Sequence, residues 1–359
     1  MIYINARFLT QDVTGVQRFA EQICLELAKL RDDIVLLVPR NIKRSSFSQN
    51  VNIKSIGNKS GHYWEQIELP KYLKSIGSPL LINLCSTAPI FYKNQIVTHH
   101  DVTYKRYKAS FSWKFRALYS VLIPLMLKNS KALITVSEFS KSEILSYFNY
   151  DPQKIHIIYN AVGSEFTNSQ ASVQEKEDYL LAVSSPNFHK NFHGMLEAFN
   201  ILRSKYDIPF KLKVIGKSSA SFAAQDYTKA TDSDDVRFLG RVDDNALISL
   251  YQNATAFVFP SFYEGFGIPP LEAQACGCPV ISSNKASMPE VLNDSVLYFD
   301  PYDNTAMAEA MKRVIVESEL RDNLITAGLA NVKRFSWSLS AKKVNSIVDN
   351  ITSSELDRL

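Results

Sequence analysis

Residues 259–280 of the chain read FPSFYEGFGIPPLEAQACGCPV. The apolar run Ala256–Phe259 stops at Pro260, which cannot donate to a sheet ladder, so a buried strand ends there. A loop carrying one carboxylate among glycines follows, Glu264-Gly265-Phe266-Gly267. Pro270 suits the first turn of a helix, where a missing N–H is no loss, and the pattern predicts a helix over Pro270–Gly277. Pro279–Ser282 reads as the next strand. Strand, glycine loop, helix and strand make one parallel crossover unit. The helix start in such a unit is an anion cradle, because its N–H groups lack partners and its dipole favours negative charge. Glu264 and Glu272 flank the cradle, and ionised carboxylates accept hydrogen bonds from vicinal hydroxyls, one set on a sugar and one on a ribose. The same residues also fit a plain loop-to-helix turn in which Glu264 serves the helix dipole.

The alternation continues in both directions. Towards the N-terminus, Tyr179–Val183, Phe210–Ile215 and Val236–Leu239 read as strands, with helices over Gly194–Lys205 and Asp243–Asn253. A further helix is expected over Ala306–Ser318. The polar, aperiodic stretch Ser164–Asp178 reads as a linker. Before it, Ile2–Ile4, Ile34–Val38, Pro79–Leu84, Gln95–Thr98, Lys131–Val136 and Ile155–Ile158 read as strands, with helices over Val16–Leu30 and Ser137–Tyr147. Strands alternating with helices imply parallel sheets. The expected fold is therefore α/β, with two Rossmann-like doubly wound domains, 1–165 and 166–335, facing a central cleft. Ligands of such sheets bind outside the carboxyl ends of the strands.

With 359 residues the chain is long enough for two full cores, and 46% hydrophobic with 21% charged residues is ordinary for a soluble enzyme. MIYINARFLT has no basic segment followed by an apolar one, so it reads as a first strand and not a signal peptide. No apolar run approaches the ~18 residues of a membrane span. Cys24, Cys85, Cys276 and Cys278 fit neither a zinc pattern nor a disulfide framework, which points to reduced thiols in a cytoplasmic protein. The net charge of +4 hides an asymmetry. Residues 1–160 hold 21 Lys/Arg against 11 Asp/Glu, a net of +10, and residues 161–359 hold 19 against 25, a net of −6. A basic first half suggests an anionic partner there, such as a phosphorylated lipid, a membrane surface or nucleic acid.

Glu264, seven residues and Glu272 resemble the E-x7-E signature of family 4 glycosyltransferases of the GT-B fold, and the surrounding EGFGIPPLEAQACGCPVI is similar to that family throughout. Other segments agree in order. Thr14-Gly15-Val16-Gln17-Arg18 resembles the family's N-terminal glycine loop, and His99-His100-Asp101 its HD pair after a strand. Thr135–Ser140 and Tyr159–Val162 resemble the end of its first domain, and Pro186–Asn191 its phosphate-binding K-N loop. Phe238–Val242 resembles its base-binding turn, and Phe335-Ser336-Trp337 the start of a last helix, 336–359, that crosses back to the first domain. The resemblance covers essentially the whole chain and lies nearest the mannosyltransferase B-like branch, which elongates O-antigen-type polysaccharides.

That resemblance implies a retaining transfer of a hexose from a nucleotide-diphosphate sugar to a lipid-linked or polysaccharide acceptor, with residues 1–165 binding the acceptor and 166–335 the nucleotide sugar. It needs no cofactor and no metal. Lys190 would neutralise the departing diphosphate, Glu272 would hold the ribose, and Glu264 would hold sugar hydroxyls and orient the anomeric carbon. Backbone amides of Phe266, Gly267 and Leu271 would reach sugar and phosphates, with Gly15, Val16, Asn187, Val242 and Gly265 completing the donor site. His100 would lie beside the sugar, its carbonyl near the developing positive charge, and His99 would give structural support. GDP-mannose is the favoured donor, with dTDP-rhamnose, UDP-galactose and UDP-N-acetylglucosamine as alternatives. The sequence departs from the family at one point. Relatives carry an arginine shortly before the K-N loop lysine, whereas Ser184–His189 has none; Asn187 and His189 can donate there, and Arg18 and Arg241 are other sources of charge.

Two further segments have more than one reading. Residues 104–127 interleave Lys105, Arg106, Lys108, Lys114 and Arg116 with Tyr104, Tyr107, Phe111, Trp113 and Phe115, and no acid stands between Asp101 and Glu138. This suits peripheral contact with an anionic membrane at the inner face of the plasma membrane, the plain alternative being a buried helix with solvated lysines. Nucleic-acid binding is not expected, since no such motif accompanies the charge. Asp232-Ser233-Asp234-Asp235 mimics a metal-binding D-x-D but reads as solvated surface. Other functions considered are a GT-B epimerase or phosphorylase and a non-catalytic nucleotide-sugar-binding partner of a polymerase complex. A nicotinamide-dependent dehydrogenase is excluded, because Asn5–Gln17 contains only Gly15 where G-x-G-x-x-G is needed.

Overall fold

Ile34–Val38 (β2) is apolar at every position and buried at every position, the signature of a strand covered on both faces. It belongs to a sheet of seven parallel strands with Ile2–Asn5 (β1), Ile53–Ser55 (β3), Leu81–Asn83 (β4), Gln95–Thr98 (β5), Ala132–Thr135 (β6) and Ile155–Ile157 (β7). The order is β3-β2-β1-β4-β5-β6-β7. A second parallel sheet holds Tyr179–Val183 (β8), Lys211–Ile215 (β9), Val236–Gly240 (β10), Ala256–Phe259 (β11), Val280–Ser283 (β12) and Leu297–Phe299 (β13), in the order β10-β9-β8-β11-β12-β13. The computed structural model describes residues 1–44, 47, 51–167, 178–183, 185, 187–216 and 235–356.

The chain divides into two units. The first holds residues 1–105, 111–160 and 336–359, and the second holds 106–110 and 161–335. In the first, helix Gly15–Leu30 buries Phe19, Ala20, Ile23, Cys24 and Leu27, a stripe at helical spacing. The last helix, Trp337–Leu356, lies against it. Trp337 meets Phe19 edge-on at 6.0 Å, and Ser340 Oγ donates to the Tyr159 carbonyl at 2.7 Å. In the second unit, helices Phe192–Tyr206 and Asn304–Val316 pack side by side. Their Met195, Phe199, Leu202, Met307, Met311 and Val314 join Leu180, Leu212, Val214 and Val258 of the sheet in one core.

Both sheets reverse their order once, at β1/β4 and at β8/β11. These are the switch points at which a doubly wound sheet opens a crevice outside its carboxyl ends. Several expected limits shift. The helix predicted over Pro270–Gly277 runs Ile268–Ala275, and the one predicted over Ala306–Ser318 ends at Val316, a second helix following at Ser318–Val332. The expected linker Ser164–Asp178 begins with a helical turn, Ser164–Thr167, whose Phe166 is fully buried; residues 168–177 lie outside the described residues. No described helix is long and apolar enough to cross a membrane.

Candidate active site

Two loops meet at the β8/β11 switch point. One leaves β8 through the turn Phe188–Lys190 into helix Phe192–Tyr206, and the other leaves β11 through residues 260–267 into helix Ile268–Ala275. Lys190 Nζ lies 2.6 Å from Glu264 Oε1, with the two side chains 26% and 14% exposed. Ser261 Oγ donates to the same carboxylate oxygen at 2.7 Å. Three further bonds fix the loops. The Phe262 N–H donates to the His189 carbonyl at 2.8 Å. Ser287 Oγ lies 2.9 Å from the Glu264 carbonyl and 3.1 Å from that of Phe266. Asn191 Nδ2 donates to the Pro301 carbonyl at 2.8 Å.

Backbone conformation sets the two helix starts. Gly267, which precedes the second helix, has φ +93°, and a Cβ there would stand 2.4 Å from Met288 Cε. Asn191, which precedes the first helix, has φ +51°, and its side chain occupies the space that a Cβ at Gly194 would take. A helix start leaves its first N–H groups unpaired. Pro269 and Pro270 carry none, so Gly267 and Ile268 are the donors nearest the loop and Leu271 the next. The Leu271 side chain is fully buried. Glu272 is buried on the same helix, with the Tyr251 hydroxyl 3.5 Å from its Oε2; burial first, and then this carboxylate, push the Tyr251 phenol well above its ordinary range. Gly265 and Phe266 are buried, and Phe266 meets Phe335 edge-on at 5.5 Å.

In the first unit, His100 leaves the end of β5 and is buried. Its Nε2 lies 3.1 Å from the Leu84 carbonyl, and its ring meets Phe19 edge-on at 5.1 Å. The backbone carbonyl of His100 accepts from Thr135 Oγ1 at 3.3 Å. Burial lowers the His100 pKa, and it lowers that of His99 to about 4, so both rings are neutral near pH 7. His99 packs against Tyr104 and Phe148. Asp101 accepts from the Thr103 N–H at 2.8 Å and holds the next turn. Gly15 and Val16 open helix Gly15–Leu30, where the Thr14 N–H donates to Gln17 Oε1 at 3.2 Å.

A polar cluster at the other switch point escaped the sequence reading. Asn5 Nδ2 donates to Asn83 Oδ1 and to Glu65 Oε1, each at 3.0 Å, across the ends of β1 and β4. Arg7 Nε donates to Glu65 Oε1 at 3.0 Å, and Thr87 Oγ1 to Glu65 Oε2 at 2.9 Å. Glu65 is buried on a π-helical turn, Trp64–Glu68, a distortion often found at functional sites. Burial alone would raise its pKa. The bond from His62, the charge of Arg7 and the bond from Asn5 prevail and hold it at about 2. The signal available in sequence was Asn5-Ala6-Arg7 at a strand end, but nothing local links it to Glu65.

Two family models match in tandem: one described as Glycosyltransferase Family 4 over residues 13–166, the other as Glycosyl transferases group 1 over residues 164–330. The O-antigen chain mannosyltransferase RfbU of Salmonella typhimurium is 34% identical over 254 residues, which is 70% of this chain and 69% of that protein. The chain belongs to the family 4 glycosyltransferases. The O-antigen chain mannosyltransferase B of Escherichia coli is 35% identical over 222 residues, 59% of this chain and 58% of that protein. The fold matches Alr3699/HepE of Anabaena, solved in complex with UDP and glucose, with a TM-score of 0.74 and 13% identity over 97% of this chain and 98% of that one. This is the GT-B fold.

Other sequence-derived positions of this glycosyltransferase fall as follows. Asn187 precedes the 188–190 turn, and its carbonyl accepts from the Lys190 N–H at 3.0 Å. Val242 is half-buried just past β10, after Gly240 at φ +70°. His189 is buried with Nδ1 3.0 Å from Ser110 Oγ, so one ring nitrogen is engaged by the 106–110 excursion. Ser184 and Pro186 of the K-N loop lie outside the described residues, as do Asp232, Ser233 and Asp234; Asp235 pairs with Arg203 at 2.9 Å. The stretch 104–127 divides. Tyr104, Phe111, Phe115 and Tyr119 pack on the first unit's core, whereas Trp113, Leu118 and Val121 of helix Trp113–Lys128 are 68%, 41% and 58% exposed.

Proposed function

We propose that this glycosyltransferase moves a hexose from a nucleotide-diphosphate donor, GDP-mannose first among them, to a lipid-linked or polysaccharide acceptor, with retention and without a metal. The observation that carries this reading is the Lys190–Glu264 pair, set at a switch point between two helix starts. A diphosphate placed there would meet one fixed cation and the N–H groups of Gly267 and Ile268. Glu264 would turn from Lys190 to sugar hydroxyls, and Glu272 would take the ribose. The base would extend towards Val242 after β10. Retention follows if the leaving phosphate itself accepts the acceptor proton, so that both bonds stay on one face of the sugar and the protein contributes positioning and charge. Mannose is favoured by the names of the two relatives above.

Calorimetric titration of GDP, UDP and dTDP in EDTA tests the reading, with Lys190→Ala and Glu272→Ala as controls. One diphosphate should bind without metal and weaken in both variants. Absence of binding to well-folded protein would sink the reading and favour a non-catalytic role.

The exposed face of helix Trp113–Lys128 supports peripheral membrane contact in the same proposal. Trp113, Leu118 and Val121 are exposed on this helix together with Lys114 and Lys128, a mixed apolar and basic surface. Flotation with vesicles containing anionic lipid should carry the protein at low salt, and Trp113→Ser with Val121→Ser should release it. Failure of the parent protein to float would remove the membrane from the proposal.

A further inference from the structure

The first sheet's own switch point, at β1/β4, holds polar groups that the donor site proposed above leaves unused. Arg7 stands two residues past β1 and Thr87 four past β4. Arg7 Nε donates to Glu65 Oε1 at 3.0 Å, and its Nη2 donates to Thr87 Oγ1 at 2.9 Å. Thr87 Oγ1 donates in turn to Glu65 Oε2 at 2.9 Å. Asn5 Nδ2 joins Glu65 to Asn83, and Asn83 Nδ2 donates to Gln95 Oε1 at 3.0 Å, so amides from three neighbouring strands fix the carboxylate. The guanidinium is locked in turn. Its third nitrogen, Nη1, bonds to no described residue, and 11% of the side chain is open to solvent.

Tyr119 reaches the same crevice from helix Trp113–Lys128. Phe115 stacks on its ring at 4.0 Å, and Tyr104 meets it edge-on at 5.4 Å. These contacts hold the half-buried ring, while its hydroxyl bonds to no described residue. Burial pushes the phenol up to about 12, so it keeps its proton and can donate; the charges of Arg7, Glu65 and Asp101 also act on it, as expected of a hydroxyl near the loops after β1 and β5. Asp101 uses Oδ1 for the Thr103 N–H, and its Oδ2 bonds to no described residue. A buried ion pair gives a fold little that apolar packing would not. A guanidinium oriented by a fixed carboxylate, with one edge open beside an unbonded hydroxyl, is instead what recognition of a polar ligand needs.

We infer that Arg7 and Tyr119 bind the hydroxyl groups of a neutral sugar at the end of the acceptor, with Glu65 as the residue that positions Arg7. Charge favours hydroxyls over phosphate here. Glu65, held at about 2, is ionised at neutral pH and offsets Arg7. Asp101 adds a further negative charge, so an arriving diphosphate would be repelled where a hydroxyl is not. A hydroxyl can accept from Arg7 Nη1 or Tyr119 Oη and donate to Asp101 Oδ2. The other face of the Tyr119 helix exposes Trp113, Leu118 and Val121, so a lipid-linked glycan would offer its sugar end beneath the surface proposed to meet its membrane. The inference rests on the transfer reading for its choice of ligand, and it names the groups within residues 1–165 that hold the acceptor.

Full-length protein is titrated with mannotetraose, chitotetraose and farnesyl diphosphate, with GDP, UDP and dTDP present to fill the donor site. The nucleotides are also titrated alone. Tyr119→Phe removes a hydroxyl that bonds to no described residue, so Tm should hold, and Arg7→Lys keeps a charge beside Glu65 but loses the fork. One tetraose should bind the parent, with Kd rising about threefold or more in Tyr119→Phe and about tenfold or more in Arg7→Lys. If Arg7→Lys fails to fold, Tyr119→Phe alone decides. No tetraose bound by the parent, or tetraose binding indifferent to Tyr119→Phe, overturns the inference even where a nucleotide binds. Farnesyl diphosphate weakened by the variants while the tetraoses are unaffected assigns the crevice to phosphate and overturns it as well. Tyr119-dependent tetraose binding by a protein that takes up no nucleotide diphosphate keeps the crevice as a sugar site and overturns the transfer reading.

Discussion

Lys190→Ala separates two contributions of one side chain. In the folded protein Lys190 pairs with Glu264 at 2.6 Å, and both groups are partly exposed. Removing the lysine leaves Glu264 with the Ser261 hydroxyl, which still donates at 2.7 Å. The stability lost is therefore small, about 1 kcal/mol, as for other solvent-screened pairs. In a unit of this size that lowers Tm by about 3 °C. Nucleotide binding should fall much further. A charge-assisted bond to phosphate contributes about 1.5–3 kcal/mol, so diphosphate affinity should drop between about tenfold and a hundredfold. Glu264→Gln moves in the opposite direction. It removes the charge that competes for Lys190, so bare diphosphate should bind as tightly as before or up to about tenfold tighter, while sugar transfer falls by about a hundredfold or more. Calorimetry on both variants and on the double variant forms a cycle, whose coupling should reach about 1 kcal/mol. Diphosphate affinity of Lys190→Ala within about threefold of the parent would refute the reasoning, because no cation at the switch point would then be engaged.

Further tests address the frame around the site. Gly267→Ala forces a side chain onto φ +93°, whereas the Met288 methyl its Cβ would meet is the end of a flexible chain and can turn aside, so the variant should lose about 1–3 kcal/mol in urea unfolding; an unchanged stability would contradict the backbone strain. His99 is buried and neutral with its pKa lowered to about 4, whereas an unfolded histidine takes its proton near 6.5. Stability should therefore fall as pH drops from 6.5 towards 4, by on the order of 3 kcal/mol, and His99→Gln should flatten that slope. Glu65 behaves in the opposite sense. Its folded pKa of about 2 lies below the ordinary 4.5, so its contribution is complete above pH 4.5 and lost as pH falls towards 2. Glu65→Gln should cost about 3 kcal/mol at pH 7, measured in denaturant, with the difference from the parent closing in acid.

Periodicity carried most of the fold because both sheets are parallel. Strands such as Ile34–Val38 are buried on both faces and read as uninterrupted apolar runs. Ile53–Ser55, largely exposed at an edge, had no such run and went unread, and Leu297–Phe299 was passed over although it lies within the short apolar run Val296–Phe299. The K-N and E-x7-E loops were legible as motifs, since one short segment holds each pattern. The Asn5–Arg7–Glu65–Thr87 cluster was not, because its members lie up to 82 residues apart and meet only once β1 and β4 are neighbours. The aromatic stretch 104–127 misled in part. Its interleaving looked like one surface, but Phe115 and Tyr119 stack at 4.0 Å in the core, and only one face of the helix is left outside. Tyr107 goes elsewhere again, to the second unit, where it meets Tyr263 at 5.8 Å.

The loop anchors give a reason for placing Lys190 and Glu264 on different strands. A cation and a carboxylate on one flexible loop would follow each other, and exchanging the partner of either would move both. Here the loop after β8 is held by the Asn191–Pro301 bond, and the loop after β11 by Ser287. Their backbones join between Phe262 and His189. Each side chain can then change partner by rotation while its backbone stays in place, so little reorganisation accompanies the arrival of charge. Fixed groups at a water-poor site stabilise developing charge more than mobile ones do. Loosening an anchor should therefore reduce turnover more than ground-state affinity. Ser287→Ala, which removes the hydroxyl bridging the Glu264 and Phe266 carbonyls, is expected to lower kcat about tenfold with diphosphate Kd changed less than about threefold. Equal losses in both would mean that the anchor only maintains the fold, and that preorganisation of the pair contributes nothing to the transfer step.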